Sequence, residues 1–292
     1  MSDKKPLIIS DTGMLATPRT RRDILKLMAM GGSVVFLPTL MTACGDDNNT
    51  STSVGPSGST NLPTFDQVKA SLDSIVTNLG AGGFDLQMWA TVVDRSGIVR
   101  VVAFSGATED DQWPASRAIS AQKANTANSL SLDGLALSTA NLYSAVQPGG
   151  SLFGLQESNP VNPDVAYGGN ADDYGTTKDF MIGKRIGGVN VFGGGLALYD
   201  ATGEVIGGIG LSGDTSCADH NISWRLRHAL VLDYVPAGVD PASGTDNIVY
   251  DIDGSGHSAS GWGHPPCPPD PAAVIAIGEG LPTNFPVRTV TP

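Results

Sequence analysis

His220 and His228 stand eight residues apart in the segment from Ala218 to Val231, where apolar and basic residues alternate at helical spacing. Eight residues is a little over two helical turns, so the imidazoles share nearly one face, and one can meet a bound ligand while the other meets solvent. That makes His220 the candidate metal ligand; the plainer reading of each is a surface or helix-capping histidine. Lys123 and Thr126, one turn apart on another predicted helix, put a cation beside a hydroxyl, a pair suited to a ligand carboxylate. Their plainer reading is a solvated lysine and a threonine packed on a sheet.

Other groupings carry less. His257 and His264 lie in a stretch without periodicity. Asp251, Asp253 and Ser255 space oxygen donors like part of a calcium loop, but Trp262 stands where that loop has its bidentate glutamate. Gly208-Ile209-Gly210-Leu211-Ser212-Gly213 matches G-x-G-x-x-G, yet it ends a predicted hairpin strand and opens no βαβ crossover, so its glycines point to close backbone approach and not to a dinucleotide. No Ser-His-Asp, zinc-quartet or paired-carboxylate pattern stands out along the chain.

The elements that must position these residues follow from local signals. Thr64 with Gln67 forms a capping box before Val68, Leu72, Ile75, Val76 and Leu79, which predicts a helix ending near Gly80. Leu86 to Asp94 and Ile98 to Ser105 flank Arg95-Ser96-Gly97 as a hairpin. Pro114 opens a second helix through Ile119, Lys123 and Ala127, and Ser138 to Gln147 forms a third, stopped by Pro148-Gly149-Gly150. Leu196 to Tyr199 and Glu204 to Leu211 make another hairpin, followed by the helix carrying both histidines. Strands joined by tight turns pair antiparallel, so the order α, β, β, α, α, β, β, α predicts an α+β fold. From Pro236 onward the chain reads as an irregular, Pro/Gly-rich tail wrapping the domain, with regular structure barred at Pro265-Pro266-Cys267-Pro268-Pro269.

The N-terminal residues point to export. Thr20-Arg21-Arg22-Asp23-Ile24-Leu25-Lys26 precedes the apolar run Ile24 to Leu40 and resembles a twin-arginine signal. Gly31, Gly32 and Pro38 interrupt a run already short for a membrane-spanning helix. Met41-Thr42-Ala43-Cys44 resembles a lipobox, which makes Cys44 the lipidated mature N-terminus. The polar residues that follow read as a flexible tether. The expected organisation is a signal peptide over 1–43, a tether over 44–62, a domain over 63–235 and the extension over 236–292. A lipid anchor on the cell envelope, on its periplasmic or surface side, then holds the protein without spanning the bilayer. With Cys44 so used, Cys217 and Cys267 are an exported even pair expected to close a disulfide; Cys217 as a reactive thiol or thiolate ligand is the alternative.

Composition bounds the rest. The 292 residues are 40% hydrophobic, enough for one sizeable core, and 37 glycines with 19 prolines imply many turns and close approaches. A formal net charge of −12 excludes nucleic acid as a partner.

Asp94-Arg95-Ser96-Gly97, Lys123-Ala124-Asn125-Thr126-Ala127, Gly193-Gly194-Gly195, and the segment from Gly203 to Gly213 occur in that order. The series, spanning about residues 64 to 232, resembles the GlcG/HbpS haem-binding family. The resemblance implies a profilin-like antiparallel sheet flanked by helices, homo-oligomers, and binding or slow oxidative degradation of haem. It places the pocket at Lys123, Thr126, Gly193, Gly194, Gly195 and His220. The chain has no Cys-x-x-Cys-His, so any haem is non-covalent, of the b type. Two departures touch the pocket: Ser105-Gly106-Ala107 replaces the usual Met-Asp-Gly, and Asn159 to Val189 is longer than the usual connection. The expected function is an envelope-anchored protein that captures, stores or senses haem. Haem breakdown by the same pocket and a non-catalytic accessory lipoprotein are the alternatives.

Overall fold

The computed structural model describes residues 61–78 and 80–283. The twin-arginine segment, the apolar run, Cys44 and nearly all of the tether lie outside the described residues. Among those described, no helix is long and apolar enough to cross a membrane.

Helix α1, Phe65–Thr77, starts as its sequence dictates: Gln67 N–H donates to Thr64 Oγ1 at 3.3 Å and Thr64 N–H to Gln67 Oε1 at 2.9 Å. Strands β1 (Trp89–Asp94) and β2 (Val99–Phe104) form the first hairpin, and β3 (Gly195–Tyr199) and β4 (Val205–Ser212) the second. Gly97 and Gly203 supply the positive φ, +75° and +83°, that the two turns need. The four strands make one antiparallel sheet in the order β2-β1-β4-β3, with Trp89 opposite both Phe104 and Ser212. The α+β expectation is borne out.

Both faces of this sheet are covered. Ala90, Val92, Leu196, Leu198, Ile209 and Leu211 pack under α1 and under α3, Ser216–Ala229, which contributes Ala218, Ile222 and Leu226. Trp89, Val93, Val99 and Val102 face α2, Ser116–Leu130, through Ala118, Ala121 and Ala124. β4 alternates accordingly. Its apolar side chains point to α1 and α3, while a Cβ on Gly208 or Gly210 would run into the Ala124 and Ser120 carbonyls of α2. The G-x-G-x-x-G run is therefore a bed for a tightly seated helix, as its place in the hairpin predicted.

Two expectations need correction. Ser138 to Gln147 is no helix but two 3-10 turns, Thr139–Leu142 and Ser144–Val146, because its polar groups bond outwards: Asn141 Nδ2 to Asn247 O, Ser144 Oγ to Gly263 O and Thr139 Oγ1 from Gly195 N. The tail contains a regular helix, α4, Pro271–Glu279, with Asp270 as N-cap and Pro271 in the first turn. The rest of residues 236–283 is a strap stitched to α3. Arg227 pairs with Asp246 through two bonds of 2.7 and 2.8 Å, both side chains wholly buried, and Trp224 Nε1 donates to Pro282 O at 2.6 Å.

Candidate functional site

The residues predicted to wall a pocket do come together, but as a closed junction. Lys123 projects from the middle of α2 with 0% exposure, and its Nζ donates to Asp219 Oδ2 at 2.6 Å and Leu211 O at 3.0 Å, with the Phe192 ring 4.9 Å away. Burial lowers the Lys123 ammonium, and Asp219 opposes it; burial likewise pushes the Asp219 carboxyl up, to about 6, against the pull of Lys123. Thr126 Oγ1 donates to Gln122 O at 2.7 Å and accepts Asn190 N–H at 2.9 Å, so its hydroxyl is committed at both ends.

Gly193, Gly194 and Gly195 leave no room for a ligand either. A Cβ on them would run into the carbonyls of Ser216, Leu211 and Lys123 respectively, so these glycines let the start of α3, β4 and α2 meet.

His220 is wholly buried. Its Nε2 lies 3.2 Å from both Asn247 Oδ1 and the Ile248 backbone N, and Asn247 Oδ1 also accepts Ile248 N–H at 2.8 Å. Nδ1 has no partner and is sealed in. His220, expected as an axial metal ligand, is packed beneath the strap residues Asn247 and Ile248. His228 sits at the surface end of α3, bonded to Asp233 at 3.0 Å.

The calcium-like spacing also resolves into local structure. Asp251 accepts from Ser258 Oγ and Ser260 N, and Asp253 from the amides of Ser255 and His257, so each carboxylate is used by its own loop. Cys217 and Cys267 are disulfide-bonded with their Cα atoms 5.9 Å apart, as the even pair predicted.

An open cleft lies on the opposite face of the sheet, where sequence reasoning placed no site. It encloses about 350 Å³ between the start of α2 and the long connection of residues 159–189. Its walls are Trp89, Pro114, Ala115 and Ala118 on one side and Ala166, Tyr167 and Tyr174 on the other, with Glu109 and Asp110 at the rim. Arg117 builds the wall. Its guanidinium forks onto Asp179 at 2.8 and 2.5 Å, donates to Ala166 O at 2.7 Å and lies 3.6 Å over the Tyr174 ring. Trp89 packs edge-on against Phe104 at 5.2 Å, and its Nε1 is buried without a partner. The signal in the sequence was the length of the Asn159–Val189 connection, long enough to build a wall of its own.

A flat apolar body fits this cleft. Two tyrosines and an indole line it, and its volume falls within the ~300–1,000 Å³ of ligand pockets. Among its lining residues the side chains of a type that ligates haem iron are Tyr167, 64% exposed, and Tyr174, whose hydroxyl donates to Gly168 O at 3.2 Å. The rim carboxylates are the wrong sign for propionates, so the fit is to the macrocycle's apolar edge.

A four-stranded antiparallel sheet sandwiched by helices, with an aromatic cleft beside the second helix, defines a small α+β ligand-binding domain. Residues 64–225, more than half of the chain, match the family model for "Haem degrading protein HbpS-like", and the chain belongs to that HbpS-like family. A crystal structure of Klebsiella pneumoniae protein ORFY, assigned to the family model DUF336, is 27% identical, covering 56% of this chain and 86% of its own, with a TM-score of 0.39. A crystal structure of a PduOC–heme complex is 22% identical, covering 56% of this chain and 89% of its own, also with a TM-score of 0.39. No curated protein matches the chain.

Proposed function

We propose that this chain is an exported, lipid-anchored protein that binds haem non-covalently in the cleft between the start of α2 and residues 159–189. The observation that carries the site is the aromatic lining of this cleft by Trp89, Tyr167 and Tyr174, with Arg117 seated over the Tyr174 ring. Membership of a family described as haem degrading supports the ligand class.

Bound haem supplies a redox-active iron in a flat apolar frame. The chain's own residues bind and orient it. Pro114, Ala118 and Tyr174 would line its apolar edge, Arg117 and Asp179 would hold the Tyr174 wall in place, and Tyr167 would offer a phenolic oxygen at the mouth. The anchor rests on Arg21-Arg22 and on Cys44 at the end of its lipobox-like run.

Titrating the natively exported chain with hemin is expected to give a saturable Soret change and quenching of tryptophan fluorescence. Trp89→Phe shortens the aromatic wall of the cleft and is expected to weaken binding about tenfold, the equivalent of ~1.4 kcal/mol. An unchanged affinity in Trp89→Phe, with loss in His220→Ala, would move the site back beneath α3. Retention of haem absorbance with peroxide or a reductant separates capture from breakdown. For the anchor, Cys44→Ala is expected to shift the chain from the membrane pellet to the soluble fraction; a variant that stays in the pellet rules the lipid out.

A further inference from the structure

The strap delivers two donors to a third at the start of α3. One donor atom from each of Cys217, His264 and Cys267 lies within 4.8 Å of the others, and all three residues are buried, at 0, 1 and 7% exposure. Donors around one zinc ion stand less than ~5 Å apart.

Two features go beyond a covalent crosslink. Cys267 Sγ accepts the Cys217 backbone N–H at 3.2 Å, within the first turn of α3, where unpaired amides favour a thiolate. His264 Nδ1 lies 3.9 Å from Cys217 Sγ and 2.7 Å from Pro265 O, and its Nε2 lies 3.2 Å from Ser216 Oγ, so the ring is held beside the sulfur pair. Ser216 Oγ is also 3.4 Å from Cys267 Sγ, an oxygen in reach of a fourth position. His264 and Cys267 lie beyond residue 225, where the family match ends.

We propose that, once the disulfide is opened, Cys217, Cys267 and His264 bind a single zinc ion, so that the strap is fastened to α3 by a covalent bond when oxidised and by a metal when reduced. A dithiol reductant delivers two electrons and two protons to the S–S bond and is itself oxidised to a disulfide, leaving two thiols. Zn²⁺ then replaces the two thiol protons, which pass to solvent.

The test uses the full chain carrying Cys44→Ala, so that no third thiol competes. It is reduced with a dithiol, freed of it anaerobically, and titrated with Co²⁺ and then Zn²⁺. The expected result is one Co²⁺ per reduced chain, with sulfur-to-metal absorption in the near ultraviolet and tetrahedral visible bands that Zn²⁺ abolishes, and no such bands in the oxidised chain. His264→Ala, which retains both cysteines, is expected to weaken binding at least ~10-fold. Absence of thiolate bands in the reduced chain, equal binding by the oxidised chain, or an unchanged affinity in His264→Ala overturns the proposal. If reduction alone lowers the far-ultraviolet circular dichroism, Zn²⁺ must restore it, and failure to do so counts equally against the site.

Discussion

Replacing Asp219 by asparagine is expected to destabilise the domain by about 3–5 kcal/mol, a large share of the ~5–15 kcal/mol that holds a typical domain folded. The substitution keeps the oxygen that accepts Asp214 N–H at 2.9 Å but removes the charge facing Lys123. Lys123 then has only Leu211 O and the Phe192 ring, both inside a region from which water is excluded. A buried ammonium without its counter-charge must either stay ionised at that cost or lose its proton. The double variant Lys123→Met, Asp219→Leu removes both charges and is expected to recover most of the loss, since a buried pair replaced by apolar groups of similar size is often neutral. Urea midpoints at constant m-value measure both. A loss under 1 kcal/mol in Asp219→Asn would show that Lys123 finds water, and so that the junction under α3 opens.

The second large effect is loss of stability in mild acid through His220. Burial, helped by the Arg227 and His264 charges and opposed by Asp246 and the bond to Asn247, holds its imidazole down to about 4, against 6.5 unfolded. Above pH 6.5 neither state is protonated and the contribution is intact. As pH falls below 6.5 the unfolded chain takes up a proton that the folded chain refuses until about pH 4, so stability drains across that window, by about 3 kcal/mol at its lower end. Asp219, pushed up to about 6, acts in the opposite sense between pH 6 and 4, while His264, which burial also holds down to about 4, acts in the same sense as His220, so the wild-type slope combines all three. His220→Gln retains a polar group facing Asn247 and Ile248 and cannot titrate. It is expected to lose markedly less stability than the wild type between pH 7 and 4.5 in paired urea titrations. Equal losses in the two proteins would mean that His220 is protonated in the folded state.

The same physical difference separates what was legible from what was not. Thr64 with Gln67, Gly97 and Gly203 each settle a local question, a cap or a turn, with groups a few residues apart, and the helices and hairpins they bound appear where expected. The pairing of Cys217 with Cys267 was legible because exhausting the alternatives needs only counting. Asp270-Pro271, a short-range start signal of the same kind, marks α4 and was overlooked in a stretch dominated by proline.

Which polar groups are buried was not legible. Lys123 and Asp219, Arg117 and Asp179, and Arg227 and Asp246 stand 96, 62 and 19 residues apart, and only packing turns them into buried pairs. His220 looked like a ligand because its helix could be read but the strap covering it could not. The sequence by itself determined the two hairpins, their antiparallel pairing and the three helices that cover the sheet, because backbone conformation and side-chain periodicity act over a few residues. Tertiary structure alone decided which polar groups are sealed and which stay open: burial depends on contacts such as Arg117 with Asp179, 62 residues away, and no local pattern encodes them.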